Sequence, residues 1–99
     1  MLKIDTKKEE DKTVVALEGR LDTLTVRELE KVLPEILDGV KELVFDFAKL
    51  EYISSAGLRV LLYVINEMED KGGLKVINAS ASILEVLEVT GFTSDLKFE

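Results

Sequence analysis

Alternating apolar and polar residues at the start of the chain predict a β-hairpin. Leu2–Thr6 alternates in this way and predicts a half-buried strand, and Thr13–Gly19 predicts a second strand. The charged segment Lys7–Lys12 separates the two runs and predicts a turn between them. Gly19–Asp22 then leads out of the second strand into a loop.

Apolar residues at helical spacing predict a first helix from Thr25 to Leu37. Thr25 and Glu28 have the spacing of a capping box, in which each side chain caps a backbone amide of the other residue. Pro34 lacks a backbone N–H and crowds the preceding turn, so we expect a kink or an early end there. The residues expected to face the core are Val26, Leu29, Leu33 and Ile36.

The second half of the chain predicts three more strands and two more helices. The strands are expected at Glu42–Phe47, Leu74–Asn78 and Leu96–Phe98. The helices are expected from Ser55 to about Asp70, and from a cap at Ser80 or Ser82 to Gly91, against which Phe92 can fold back. Their inward faces are predicted to be Leu58, Leu61, Leu62, Ile65 and Met68, and then Ile83, Val86, Leu87 and Thr90.

The order β-β-α-β-α-β-α predicts an α/β fold. Four to five strands should form one sheet, with about three helices packed on it. A length of 99 residues fits a single domain that spans residues 1–99.

The residue inventory excludes several kinds of chemistry. The chain has no His and no Cys, so a Ser-His-Asp triad, a His–Cys zinc site and a disulfide are impossible within it. We therefore expect no enzyme activity, no metal and no cofactor. An enzyme with Ser55 as its nucleophile is the alternative, although the sequence places no base beside that residue.

The net charge of −7 favours a protein partner. An acidic chain lacks the basic face that nucleic acid or an anionic membrane requires, whereas it suits a basic protein surface. The longest apolar runs are far shorter than the roughly 20 residues of a membrane span, and Met1–Asp5 has no apolar signal region. We expect a cytoplasmic protein.

The segment Tyr52–Leu62 carries two adjacent hydroxyls where a strand-like run stops and a helix-like run starts. Serine is a favoured helix cap, and a helix N-terminus also suits a phosphate because free N–H groups and the positive end of the dipole lie there. Ser54 and Ser55 are therefore candidates for a phosphorylation switch. From these residues alone, a plain helix cap is the preferred interpretation.

Three motifs together resemble those of a known family. Gly19–Asp22 is a glycine-x-leucine-aspartate turn after the second strand, Asp46–Phe47 and Tyr52–Leu58 form a strand, loop and serine motif, and Val86–Phe92 ends the third helix. In residues, order and spacing they resemble the STAS domain family, and specifically its stand-alone bacterial anti-sigma factor antagonists. The resemblance implies a STAS-like mixed β-sheet.

The resemblance also implies a partner-switching regulator of transcription. In the family, the unphosphorylated antagonist binds an anti-sigma factor that is also a serine kinase, and this frees the sigma factor. The kinase then phosphorylates the antagonist, the complex dissociates, and a serine phosphatase reverses the modification. Carried onto this chain, the phosphorylated residue is Ser55, two residues before Gly57. The alternative is a non-switching STAS subunit of a transport or sensory complex.

Other site residues follow from the same motifs. The family often has Asp before the phosphorylated serine, whereas this chain has Ser54, which is therefore the alternative site. Asp46 is expected to support the serine loop by accepting backbone amides, with a solvated carboxylate as the alternative. The residues expected at the partner interface are Asp22, Ser54, Ser55, Ala56, Gly57 and Arg59.

Three of these interface residues have competing structural interpretations. Asp22 is equally well an ordinary turn residue. Gly57 should permit close approach of a partner or of a neighbouring backbone. Arg59 is more simply a surface arginine.

The end of the chain bears on its oligomeric state. The family usually has a further C-terminal helix, whereas this chain stops at Glu99. If that helix is absent, apolar surface is left for another subunit. We therefore expect a monomer or a weak dimer.

Overall fold

The computed structural model describes residues 2–91 and 97–98, and its elements follow the predicted order. The strands are β1 (Leu2–Glu9), β2 (Lys12–Leu21), β3 (Glu42–Ile53), β4 (Leu74–Ile77) and β5 (Lys97–Phe98), and the helices are α1 (Val26–Leu37), α2 (Ser55–Met68) and α3 (Ala81–Val89). They form one five-stranded sheet in the order β1-β2-β3-β4-β5. β1 is antiparallel to β2, and the other neighbours are parallel, so the predicted mixed sheet is confirmed.

All three helices pack on one face of the sheet. Each parallel connection steps to the next strand in the same direction, and right-handed crossovers of this kind place successive helices on the same side. Accordingly, one buried cluster contains Phe45 and Phe47 of β3 together with side chains from α1, α2 and α3. Across residues 2–91 and 97–98, no helix combines the length and apolarity needed to cross a membrane.

The hairpin is longer than its hydrophobic pattern predicted. β1 continues past Thr6 to Glu9, where Glu9 pairs with Lys12, and the turn shrinks to Glu10 and Asp11. Charged residues fill the last positions of this exposed edge strand, so no apolar alternation marks them in the sequence.

Strand β3 is also longer than predicted, because it runs past Phe47 to Ile53. Its register with β2 shifts twice, and each shift places an extra β3 residue opposite β2. Such bulges interrupt the period-two pattern that marks a strand. β4 pairs with β3 only as far as Asp46, so among the described strands the last part of β3 is paired with β2 alone.

Helix α1 ends at Leu37 as predicted, but two expectations about its details are wrong. It passes through Pro34 and reaches Leu37, so the expected early end at Pro34 is wrong. The capping box is also wrong, since Thr25 makes no side-chain cap to α1. The Thr25 hydroxyl instead donates to the Arg20 carbonyl at 2.6 Å, which engages it in the loop before the helix.

The buried face of α2 is rotated relative to the predicted face. Leu61 and Met68 are buried as expected, but Leu62 is exposed and Leu58 and Ile65 are only half-buried. The prediction was wrong because residues 60–65 are all apolar, which leaves the helical periodicity ambiguous. The side chains that fill the core are Val60, Leu61, Val64 and Met68.

Helix α3 confirms one of its two candidate caps. The Ser80 hydroxyl accepts the Ile83 amide at 3.3 Å, and Gly91 adopts the positive φ of 83° expected after a helix end. Thr90 was predicted to face inward, but it is exposed and its hydroxyl donates to the Val86 carbonyl at 2.9 Å. The expectations for Phe92 and Leu96 lie outside the described residues.

Candidate functional site

The ends of β2 and β3 bring two of the sequence motifs together. Leu21 and Ile53 are partners in the parallel register, and the Ser54 amide donates to the Leu21 carbonyl at 2.9 Å. The loop that follows β2 therefore lies beside the N-terminus of α2. Asp22 and the two serines, which the sequence places far apart, meet at one edge of the sheet.

Ser54 is the cap of α2. Its backbone is extended, with φ −92° and ψ 176°, and its hydroxyl accepts the Gly57 amide at 3.3 Å. The Ser54 carbonyl also accepts the Leu58 amide at 2.9 Å, which begins the helical hydrogen bonding. Ser54 is half-buried, so its hydroxyl has a structural partner and limited access to solvent.

Ser55 is the first residue of α2 and is exposed. Among the described residues, none forms a hydrogen bond with its hydroxyl. The two adjacent hydroxyls therefore have different environments, which no local sequence signal distinguishes. The helix cap predicted at this junction is Ser54, and the free hydroxyl is that of Ser55.

Asp22 organises the loop between β2 and α1. Its Oδ1 atom accepts the amides of Leu24 and Thr25, both at 3.0 Å, and its own amide donates to the Thr25 hydroxyl at 2.9 Å. The hydrogen bond from the Thr25 amide, reinforced by those from the Leu24 amide and the Thr25 hydroxyl and by the charge of Arg20, lowers the pKa of the Asp22 carboxyl, although partial burial opposes this. Asp22 is thus a structural turn residue. Its role in partner binding stays a prediction.

Arg20 lies at the same edge and is already engaged. Its guanidinium carbon is 4.2 Å from the centroid of the Tyr52 ring, and its Nε is 3.9 Å from Oδ2 of Asp22. Arg20 and Tyr52 are partners in the β2–β3 register. Stacking on an aromatic face is a favourable geometry for arginine. This pairing therefore ties the exposed surfaces of the two strand ends together.

Gly57 is buried beneath the start of α2. A Cβ atom added there would lie 2.9 Å from Cγ1 of Ile53 and 2.9 Å from Cγ of Leu21. The close neighbours are thus side chains of this domain, which corrects the expected approach of a neighbouring backbone. The glycine lets α2 sit tightly on the ends of β2 and β3.

Asp46 supports a different part of the fold from the one predicted. It lies within β3, and its Oδ1 atom accepts the Ala48 amide at 3.0 Å and the Asn78 side-chain amide at 3.1 Å. These bonds stabilise the first β3 bulge and join it to the end of β4. The expected contact with the serine loop is therefore wrong, because β3 continues to Ile53 before that loop begins.

A groove of about 450 Å³ lies between α1 and α2, next to the serine motif. It combines an apolar floor with one charge of each sign. Tyr63, which lines it, is 51% exposed, and Leu24, two residues before Val26 in sequence, is 78% exposed. Sequence reasoning missed the groove, since only the packing of two helices creates it. The lining residues are Val26, Glu30, Leu33, Pro34, Ala56, Arg59, Val60 and Tyr63.

The residue types at this edge are suited to binding and modification. Within the part of the chain that the structure describes, no group of three or more metal-ligating side chains could hold an ion. The groups gathered here are hydroxyls, a carboxylate, two arginines and exposed apolar side chains.

Solved anti-sigma factor antagonists share this fold. One from Mycobacterium paratuberculosis matches with a TM-score of 0.90 and 20% identity, over 99% of this chain and 85% of that chain. SpoIIAA in its unphosphorylated form matches with a TM-score of 0.83 and 19% identity, over 98% of this chain and 88% of its own. Phosphorylated SpoIIAA from Bacillus matches with a TM-score of 0.76 and 19% identity, over 98% of this chain and 91% of its own.

Sequence comparison identifies the family directly. BtrV of Bordetella bronchiseptica, assigned as an anti-sigma factor antagonist, is 33% identical over 95 residues, which cover 94% of this chain and 82% of BtrV. The model of the STAS domain family matches residues 3–99. These matches agree with the motifs at Gly19–Asp22 and Tyr52–Leu58. The chain belongs to the STAS domain family.

Proposed function

We propose that this protein is an anti-sigma factor antagonist that works by partner switching. The unphosphorylated form binds an anti-sigma factor that is also a serine kinase. Phosphorylation of Ser55 releases the complex, and a serine phosphatase restores the binding form. The names of BtrV and of the solved structures support the antagonist role, and SpoIIAA is known in unphosphorylated and phosphorylated forms.

The exposed hydroxyl of Ser55 is the observation that carries the proposal. A kinase needs an accessible oxygen, and Ser55 offers one at the surface of α2. Ser54, the alternative site, uses its hydroxyl to accept the Gly57 amide. Modification of Ser54 would remove the cap of α2, whereas modification of Ser55 leaves that hydrogen bond in place.

A phosphate at Ser55 can end binding without any change of fold. It adds about −1.5 to −2 charges at neutral pH, and the N-terminus of a helix tolerates negative charge. Across an interface, like charges cost several kcal/mol, and each 1.4 kcal/mol or so is a tenfold change in affinity. A local charge is therefore sufficient to dissociate a micromolar complex.

The partner surface extends from Ser55 into the groove between α1 and α2. Tyr63 lines the groove and is half exposed, and aromatic residues are frequent anchors of interfaces. Ala56 and Arg59 line the groove, which agrees with their predicted place at the interface. The protein acts by binding rather than by catalysis, and the cytoplasm, where sigma factors act, is its site of action.

Intact mass spectrometry after incubation with ATP and the anti-sigma kinase encoded nearby tests the proposal. We expect one added phosphate, mapped to Ser55, and none on Ser55→Ala. Ser54→Ala is the matched control and should still be phosphorylated. Stable binding without phosphate would contradict the switch and favour the non-switching STAS subunit. Phosphate on Ser54 instead would overturn the assignment of the site.

A further inference from the structure

We propose that Arg59 is the internal counterion of a phosphate on Ser55. This inference rests on the proposed function, because it takes Ser55 as the modified residue. Ser55 and Arg59 are four residues apart on α2, and both are exposed. Side chains at this spacing lie on one face of a helix, with about 5–6 Å between their Cβ atoms. The long arginine side chain can therefore reach a phosphate on the serine oxygen.

Arg59 is also uncommitted in the unphosphorylated protein. Within residues 2–91 and 97–98, no carboxylate lies within 4.0 Å of its guanidinium group. Glu30 lines the same groove but forms no ion pair with it. Arg20, by contrast, already stacks on Tyr52 and lies near Asp22. Arg20 would therefore lose these contacts if it turned to a phosphate, whereas Arg59 has no such contact to lose.

The direction of the pair favours this contact. A negative group placed four residues before a positive one is the better order on a helix, since both charges then complement the helix dipole. The guanidinium fork can also donate two hydrogen bonds to one phosphate. The described carboxylates nearby, Asp22 on the adjacent loop and Glu30 in the groove, repel the phosphate. Arg59 offsets that repulsion.

The consequence is that one modification changes the partner surface twice. The phosphate adds negative charge at Ser55, and it withdraws the Arg59 guanidinium from the groove. A partner carboxylate that had paired with Arg59 would then lose its contact and also meet the new charge. A partner would thus lose affinity through both effects.

The test uses protein with phosphoserine placed at position 55 during translation, so it depends on no kinase. Phosphorus NMR titration measures the second pKa of the phosphate in the parent, in Arg59→Met and in the matched variant Arg20→Met. A cation beside the phosphate favours the dianion and lowers this pKa. We expect Arg59→Met to raise it by about 0.3 units, the size expected for a helical ion pair. Arg20→Met should leave it unchanged.

A measurement at high salt and a lysine variant extend the test. The difference between parent and Arg59→Met should shrink in 1 M salt, where the Debye length falls to about 3 Å. Arg59→Lys keeps the charge without the fork and should give an intermediate value. No shift in Arg59→Met, or an equal or larger shift in Arg20→Met, would overturn the inference. Failure of a kinase to modify Ser55 would instead count against the proposed function alone.

Discussion

At the scale of single residues, the two adjacent serines have different environments. Ser54 has the extended backbone and the amide contact of a helix cap, whereas the Ser55 hydroxyl is exposed on the first turn of α2. The chemistry of a hydroxyl is the same in both positions, so environment alone separates the structural role of Ser54 from the regulatory role proposed for Ser55. The separation can be tested without any partner.

Ser54→Ala should destabilise the protein more than Ser55→Ala. Loss of the cap typically lowers the free energy of unfolding by about 1 kcal/mol, whereas an exposed substitution stays within about 0.5 kcal/mol. Urea unfolding of the two single variants measures both values against the parent. Equal losses in the two variants would contradict the division of roles.

Gly57→Ala should lower the free energy of unfolding by about 1 kcal/mol. Alanine favours the helix by about 1 kcal/mol, but overpacking of a core typically costs about 1–3 kcal/mol. The new Cβ would meet the inner atoms of Leu21 and Ile53, which cannot swing away as a flexible chain end can. A more stable variant in urea unfolding would show that these two side chains relax freely.

Asp22→Asn should reduce stability at neutral pH but not in acid. The folded state lowers the pKa of Asp22 below its ordinary value of 3.8, so the charged form stabilises the fold fully above that value. The contribution disappears as the pH falls through the lower pKa of the folded state. Urea unfolding at pH 7 and across pH 4 to about pH 2 measures this difference.

The variant should therefore match the parent at the acid end of that titration. Asp70→Asn, on an exposed turn, removes one carboxylate away from the Asp22 turn and is the control for the change in net charge. A stability difference between Asp22→Asn and the parent that persists undiminished at the lowest pH would contradict the prediction.

At the scale of elements, helix α1 contains its own weak point. Pro34 is exposed and lies inside the helix, where it supplies no N–H to the Glu30 carbonyl. The helix nevertheless continues to Leu37, because Leu33 and Ile36 are buried on either side of the proline. Tertiary packing thus outweighs a strong local preference.

Pro34→Ala should raise the free energy of unfolding by about 2–3 kcal/mol. The helix gains roughly 3 kcal/mol, and the greater freedom of the unfolded chain offsets up to about 1 kcal/mol of that. Glu35→Ala, at the next exposed position, is the control and should change little. Thermal unfolding measures both variants, and a destabilised Pro34→Ala would imply that the proline stabilises the groove it lines.

The sequence predicted some features of the helices and strands and missed others. The type and order of the helices and strands followed from apolar periodicity, which each buried segment must obey. The length of β3 did not, because its two bulges break that period. The role of Asp46 was missed for the same reason, since a strand thought to end there would have placed it beside the serine loop. The motif at Ser54–Gly57 was recognisable from the sequence. Which of its two hydroxyls caps α2 and which is exposed became clear only from the backbone geometry.

At the scale of the whole molecule, the three helices cover one face of the sheet. On its other face, the register places Lys3 beside Glu18 and Glu18 beside Lys49, while Val14 lies beside Val44 in the middle. The ammonium of Lys49 is 3.9 Å from Glu18. Charges of opposite sign are thus neighbours on this face, which limits its attraction for other chains.

Hydrogen exchange should follow the pairing of the strands. Amides of Val44 and Phe45 lie between β2 and β4, so they should exchange slowest, near the rate set by global unfolding. Amides of β1 that point away from β2 should exchange much faster, because β1 is an edge strand. Exchange followed by NMR measures this, and equal protection of β1 and β3 would show that another chain covers the edge.

The early end of β4 has a consequence for access to Ser55. Beyond Asp46, β3 continues along β2 as an arm about 20 Å long at the usual rise per residue. β1 borders β2 on its other side as far as Gly19, and Ser55 follows the tip of the arm. Along that arm no described strand flanks β3 on the β4 side. Ser55 follows the part of β3 with which β4 does not pair, so no described strand on that side stands in the way of an enzyme that must enclose the hydroxyl. Under the proposed function, both the addition and the removal of a phosphate gain steric clearance from a strand that stops short.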